Sequence, residues 1–262
     1  MKNYLAAFLL LVLASGLHAQ TSSEPRPLRL GLKIAPNLGW LKPTSQDLSK
    51  DGASLRPGFA FGLMADFTLV NSKNYFFSTG FELQNNGGKL KYADAINLGD
   101  TAWALGQTER TYKLQYISIP LAIKMKTNEI GRNYYYGVFG TALGFNINAQ
   151  ADDASSWVNA NDLPISTEDI DIVDDITLPR AELLVGAGGE FLISGSTMLA
   201  VGVTWHNGFT NILNGRGLTP EEGTGNAQLV TDPADSNFGN PAEGAELKAQ
   251  TNYFAIDIGI FF

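Results

Sequence analysis

Nine charged residues stand out by spacing, because each sits between apolar neighbours at alternating positions. They are Arg29, Lys33, Asp66, Glu82, Lys124, Arg180, Glu182, Glu190 and Asp257. Side chains of a strand alternate sides with period two, so these residues fall on faces opposite apolar ones. Opposite charges packed together can neutralise one another through charge-assisted hydrogen bonds. Left unpaired and buried, each would be costly. The set therefore suits a salt-bridged interior, or the lining of a narrow gated pore. His206 is the one histidine beyond position 18. A hydrolytic dyad or triad would need it beside a serine and a carboxylate, for which Ser118 and Glu182 are candidates. No Gly-x-Ser-x-Gly element is present, and no catalytic residue is assigned. No enzymatic activity and no cofactor are expected.

A second cluster is acidic. Asp152, Asp153, Asp162, Glu168, Asp169, Asp171, Asp174 and Asp175 lie between Asn148 and Thr177 with no Lys or Arg among them. Closely spaced oxygen ligands suit calcium. Asp169, Asp171, Asp174 and Asp175 are the candidates for a weak site, one that lipopolysaccharide phosphates could share. The glycine and terminal glutamate of an ordered calcium loop are missing, so a solvated acidic loop is the alternative.

The elements that would position these groups are strands. Apolar residues occupy every even position from Phe254 to Phe262. Similar alternation runs through Arg29–Trp40, Gly58–Leu69, a third run from Tyr75, Thr111–Lys126, Asn133–Asn148, Arg180–Ile193 and a seventh around Leu199–His206. Pro36 lacks a ladder donor and implies a bulge or strand end. In Thr111–Lys126 the apolar set moves from even positions (Tyr112, Leu114, Tyr116) to odd ones (Ile117, Ile119, Leu121, Ile123). That demands a bulge near Tyr116 or an upper end supported by loops. The less regular tyrosines Tyr134 and Tyr136 are assigned to an aromatic girdle. Short gaps alternate with long ones: the first, third, fifth and seventh connections are long. The last two read as an acidic loop containing Trp157, a candidate partner contact, and an irregular loop, Leu213–Ala249.

Residues 1–19 read as a secretory signal peptide, with an apolar run from Tyr4 to Leu13 and a small-residue exit at Ala19. Its removal takes the net charge from −8 to −9, because Lys2 is its one charged residue. No basic patch favours nucleic acid. With no cysteine, a disulfide scaffold is excluded. Only helices and closed barrels satisfy their backbone in lipid, and no apolar run beyond the leader is long enough for a helix. The expected fold is all-β: an eight-stranded antiparallel up-and-down transmembrane β-barrel over residues 28–262, after a short periplasmic segment 20–27. It would have short periplasmic turns and long extracellular loops, and Phe262 would serve as its C-terminal barrel signal.

Three motifs carry a family resemblance. Tyr116-Ile117-Ser118-Ile119-Pro120-Leu121 resembles the Tyr-Ile-x-Ile-Pro-Leu signature of PorT-like outer-membrane barrels of Bacteroidota. Gly186–Phe191 resembles that family's glycine-rich sixth strand. Gly208-Phe209-Thr210-Asn211-Ile212 is similar to its Gly-Leu-Thr-Asn-Ile element, in which Gly208, Thr210 and Asn211 match. The resemblance implies an outer-membrane location. A barrel with long loops suits a lipid-embedded scaffold with interacting loops; the resemblance implies, as an alternative, an accessory part of a type IX-like secretion and gliding machinery. A narrow solute or ion channel is the other alternative. Expected partners are outer-membrane lipid and lipopolysaccharide, the barrel-assembly machinery during biogenesis, and other envelope proteins.

Overall fold

A computed structural model describes residues 27–49, 55–69, 72–99, 102–158 and 166–262. The expected leader and all but the last residue of the segment 20–27 lie outside the described residues. Eight long strands carry the fold: β1 (Leu28–Pro43), β2 (Arg56–Thr68), β3 (Tyr75–Gly99), β4 (Ala102–Lys126), β5 (Asn133–Trp157), β6 (Pro179–Ser194), β7 (Thr197–Gly208) and β8 (Ala249–Phe261). Each pairs antiparallel with its neighbour in the chain. The last strand closes on the first, with Leu32 opposite Ile260 and Leu38 opposite Phe254. Closure leaves the ring without an edge, so its backbone is satisfied by neighbouring strands.

The wall has two zones. Near the short turns, the outward positions are apolar: Leu30, Leu32 and Ile34 on β1, Phe59, Phe61 and Leu63 on β2, and Ile256, Ile258 and Ile260 on β8 are all exposed. The inward positions there carry charge. Farther along β3, β4 and β5 the pattern inverts. Lys89, Glu109 and Lys113 face outward, while Leu90, Tyr112, Leu114, Ala149 and Ala151 are buried inside. They pack with Leu41 and Leu48, and with Ile172, Ile176, Ile212 and Leu213 from the two long connections. A wall that meets hydrocarbon at one level and water at the next must exchange its two faces in this way. Tyr112 belongs to this outer core; burial pushes its phenol up to about 12, against the pull of Arg110, so it stays neutral there.

The inversion explains the phase change in the fourth strand. β4 keeps one register against β3 from Met125 to Trp103, shifting only at the tip, and its even positions from Tyr112 to Ala122 all face inward or are half-buried. The irregularity is on β5, where Gln115 faces Asn148 but Tyr116 faces Asn146. Ile147 is the extra residue, and both it and Asn148 are exposed. Pro36 also departs from expectation. The ladder to β8 omits Ala35 and Pro36 yet resumes at Asn37 in the same register, so β1 neither bulges nor ends there.

The long connections differ from the expected loops. β3 and β4 extend to Gly99 and Ala102, so the second of the four long connections, numbered one to four in chain order, is mostly a strand arm. β5 runs to Trp157, which makes Asp152, Asp153 and Trp157 strand residues. The third connection carries a short strand, Ser166–Asp171, paired with β5, and a single 3-10 turn, Val173–Asp175. The fourth contains a small hairpin, Arg216–Leu218 with Glu243–Glu246, and docks on the arm through Gln107, which donates to Asn226.

Truncating Leu114 to Ala in the outer core should cost about 2–5 kcal/mol, because loops and strands together fix the cavity it would leave. Urea unfolding in detergent checks this; an unchanged midpoint would mean that this core is not packed.

Candidate functional site

Three charge clusters fill the lumen from the turn end upward. In the first, Glu190 is fully buried and receives Arg29 Nη2 at 2.9 Å, Lys124 Nζ at 2.6 Å and Lys126 Nζ at 2.5 Å. Asp66 accepts Lys124 at 3.0 Å and the Ser78 hydroxyl at 2.6 Å. In the second, Lys33 Nζ bridges Glu82 at 2.6 Å and Asp257 at 3.3 Å. In the third, Arg180 donates to Gln84 Oε1 at 2.5 Å and lies 3.3 Å from Glu182 Oε2. Its guanidinium covers the Tyr116 ring at 3.9 Å. Tyr253 donates to Glu182 Oε1 at 2.7 Å, the same oxygen that His206 Nδ1 approaches at 2.8 Å. The His206 and Tyr253 rings stack with centroids 4.1 Å apart.

Arg29, Lys33, Lys124, Lys126 and Arg180 thus face Asp66, Glu82, Glu182, Glu190 and Asp257, and the lumen's formal charge cancels. Charges taken from water persist only when paired and hydrogen-bonded. Glycines make the room. A Cβ at Gly188 or Gly202 would meet the Tyr136 hydroxyl at 2.5 Å. Tyr136 and Tyr134 point inward, with Lys124 and Lys126 over their rings at 4.5 and 4.4 Å. They therefore belong to the lumen and not to an interfacial girdle, for which Tyr75 and Tyr135 remain exposed near the turns.

Lys126 shares the parity of Lys124 but ends its strand beside a turn, and it is not among the nine lumen candidates. Nor is Tyr253, whose hydroxyl is needed only because Glu182 and His206 arrive from other strands. Ser118 lies opposite Glu82 and Gly144, whereas His206 is held by Glu182 and Tyr253. The serine, histidine and carboxylate of a hydrolytic triad are not brought together.

The acidic residues of the third connection disperse. Asp169 and Asp152 share Lys113, at 3.0 and 2.7 Å. Asp153 forms a two-point pair with Arg110, and Asp175 lies 3.5 Å from the same guanidinium. Asp171 accepts from the Val173 backbone, and the Asp174 carbonyl accepts from Asn214. Among the described residues no group of three or more acidic or histidine side chains is arranged to hold a metal ion. Lys113 and Arg110 on the arm draw Asp152, Asp169, Asp153 and Asp175 to separate partners, so the four calcium candidates do not converge on one point here.

The motif residues have structural work. Tyr116 is fully buried at the level where the wall inverts, while Ile117 and Leu121 face outward below it and Ile119 and Pro120 are half-buried. Gly208 ends β7, where a Cβ would meet the Thr251 carbonyl at 2.5 Å. Thr210 Oγ1 accepts the Ala181 amide at 2.9 Å. Asn211 donates to the Leu213 and Leu247 carbonyls and accepts from the Leu213 and Ala249 amides. It ties both ends of the fourth connection and so fixes Ile212 in the outer core.

Residues 18–214 match the model of the outer membrane protein beta-barrel domain family. The chain belongs to this family. It is an outer-membrane β-barrel protein, and the apolar zone is its lipid face. Short turns of bacterial barrels face the periplasm, which assigns the charged lumen to the periplasmic side and the arm to the cell surface. Phe262 ends the chain on the lipid face beside Leu30, whose carbonyl accepts its amide. Solved structures with similar backbones include Neisserial surface protein A, at 9% identity and TM-score 0.39, covering 90% of this chain and 98% of that one. Ail, the attachment invasion locus protein of Yersinia pestis, matches at 10% identity and TM-score 0.34, covering 90% and 97%. OprG from Pseudomonas aeruginosa matches at 10% and 0.36, covering 89% and 95%. No curated protein matches the sequence.

Substituting Glu190→Gln would leave Arg29, Lys124 and Lys126 with Asp66 alone. The expected loss is about 3–5 kcal/mol, partly recovered by adding Lys124→Met, as measured by urea unfolding of the barrel. Asn211→Ala should cost about 1–3 kcal/mol by orphaning buried backbone groups, and should raise protease cleavage within 209–248 before the barrel itself melts.

Proposed function

We propose that this outer-membrane barrel is a closed, lipid-embedded scaffold that presents its arm and fourth connection for interaction outside the cell. One observation carries the reading: above its periplasmic mouth the lumen is filled by ion pairs and, toward the surface, by an apolar core. An eight-stranded ring has room for little beyond its own side chains. A channel would require this network to open, at the cost of several separated buried charges. The ordered arm supplies what recognition by a rigid scaffold needs. Between the arm and the fourth connection lies a cavity of about 260 Å3, walled by Tyr92, Tyr112, Arg110 and Leu247.

A narrower placement among the PorT-like barrels of Bacteroidota, with an accessory role in protein secretion, is a second reading. It is favoured by the Tyr116–Leu121 and Gly208–Ile212 motifs. Lipopolysaccharide, the assembly machinery and other envelope proteins are the partners this proposal names.

In planar bilayers the purified barrel should show no stepwise conductance at neutral pH. Regular channel events from wild type would overturn the closed-scaffold reading. For the second reading, a tagged barrel should co-purify with secretion-machinery subunits; its recovery free of them would count against that role.

A further inference from the structure

The periplasmic mouth of the lumen holds a cavity of about 370 Å3. Its walls include Arg29 and Lys126, with Phe76, Tyr134 and Phe262 beside them and Lys73 and Glu129 also lining it. Although the lumen as a whole is neutral, its charge is unevenly spread. The mouth cluster gathers three cations, Arg29, Lys124 and Lys126, around two carboxylates, Asp66 and Glu190. The compensating excess of carboxylate lies deeper, where Lys33 alone serves Glu82 and Asp257. The side chains of Lys126 and Arg29 are largely buried, at 7% and 13% exposure, so water screens them poorly. Each reaches Glu190, and each has further N–H donors on a group that also borders the cavity. Lys126 lies over the Tyr134 ring at 4.4 Å and the Phe76 ring at 5.4 Å. Cations set between aromatic walls form an amphipathic receptor: oxygens can be held by the ammonium and guanidinium, and an apolar body by the rings.

We propose that this mouth is a binding site for a small oxyanion, carboxylate or phosphate, that bears an apolar or aromatic body and arrives from the periplasm. The anion's oxygens meet Lys126 and Arg29, completing the charge balance of the mouth cluster, while its body rests on Phe76 and Tyr134. The site closes on the lumen side because Glu190 and the cations behind it fill the ring. It is a receptor pocket, not the entrance of a path.

The test uses the full mature chain folded in detergent, titrated calorimetrically with phenyl phosphate and with N-acetylphenylalanine; the neutral N-acetylphenylalanine amide is the control. Saturable, salt-weakened binding of at least one anion and not of the amide is expected, and which anion binds tells phosphate from carboxylate. Lys126→Gln should weaken that binding about tenfold or more, and Lys126→Arg should largely keep it. Arg29, Lys124 and Asp66 still pair around Glu190 in both variants, so the difference in gel mobility between boiled and unboiled protein should persist. If Lys126→Gln does not fold, shift mapping on wild type decides: changes at Arg29, Phe76 and Lys126 support the site, and changes confined elsewhere overturn it. Failure of both anions to saturate, equal binding of the amide, or undiminished binding by folded Lys126→Gln would also overturn it.

Discussion

One constraint orders this molecule: a single closed wall passes through two solvents. Where hydrocarbon surrounds it, apolar side chains must face out, and whatever faces in must satisfy itself. Where water surrounds it, the preference reverses. β4 records both conditions in one unbroken register, with Ile117, Leu121 and Ile123 outward below and Tyr112 and Leu114 inward above. β5 reaches the same end by another route, spending one extra residue at Ile147 to exchange its faces. Tyr116, Arg180 and Gln84 sit at the crossover, where a planar cation can serve both an aromatic ring and polar oxygens.

The two lumen fillings follow from that constraint. Below the crossover the inside of a narrow ring cannot be apolar and also tell itself apart from the outside in a lipid solvent. Paired charges give the inner face a distinct chemistry, and each pair joins strands distant in the chain. Glu190 on β6 binds Arg29 on β1 and Lys124 on β4, so one carboxylate ties together staves that are not neighbours in the ring. Above the crossover the ring behaves as a water-soluble barrel, and its core is completed by loop residues such as Ile176 and Ile212. The long connections are thus part of the folded body. The cost of this arrangement is cooperative: loss of one buried charge strands several others.

Much of the ring was legible in the sequence, because period two is simple and lipid makes it strict. The alternation of Phe254–Phe262 and of Gly58–Leu69 needs no tertiary information. The outer halves of β3, β4 and β5 were not legible in the same way. There the sense of alternation inverts, and polar outward residues such as Lys89, Glu109 and Asp152 resemble loop residues. The face of a charged residue could be read from parity, but its partner could not: nothing local says that Lys33 meets Asp257 and Lys124 meets Glu190. Tyr134 and Tyr136 misled because aromatic residues near a membrane boundary suit an interface as well as a cation. The glycines that make room for Tyr136, Gly188 and Gly202, lie on other strands. The acidic third connection misled for a related reason, since Lys113 and Arg110 lie on β4, far away in sequence.

The account is tested most directly by measuring which solvent each outward position of β4 meets. Spin labels placed singly at Glu109, Thr111, Lys113, Ile117, Leu121 and Ile123, in the barrel reconstituted into bilayers, can be relaxed by oxygen or by a water-soluble nickel chelate. A change of solvent between Lys113 and Ile117 is predicted. The chelate should dominate at the first three positions and oxygen at the last three. Oxygen dominance continuing through Thr111 and Glu109, or chelate dominance at Leu121 and Ile123, would contradict the two-solvent wall.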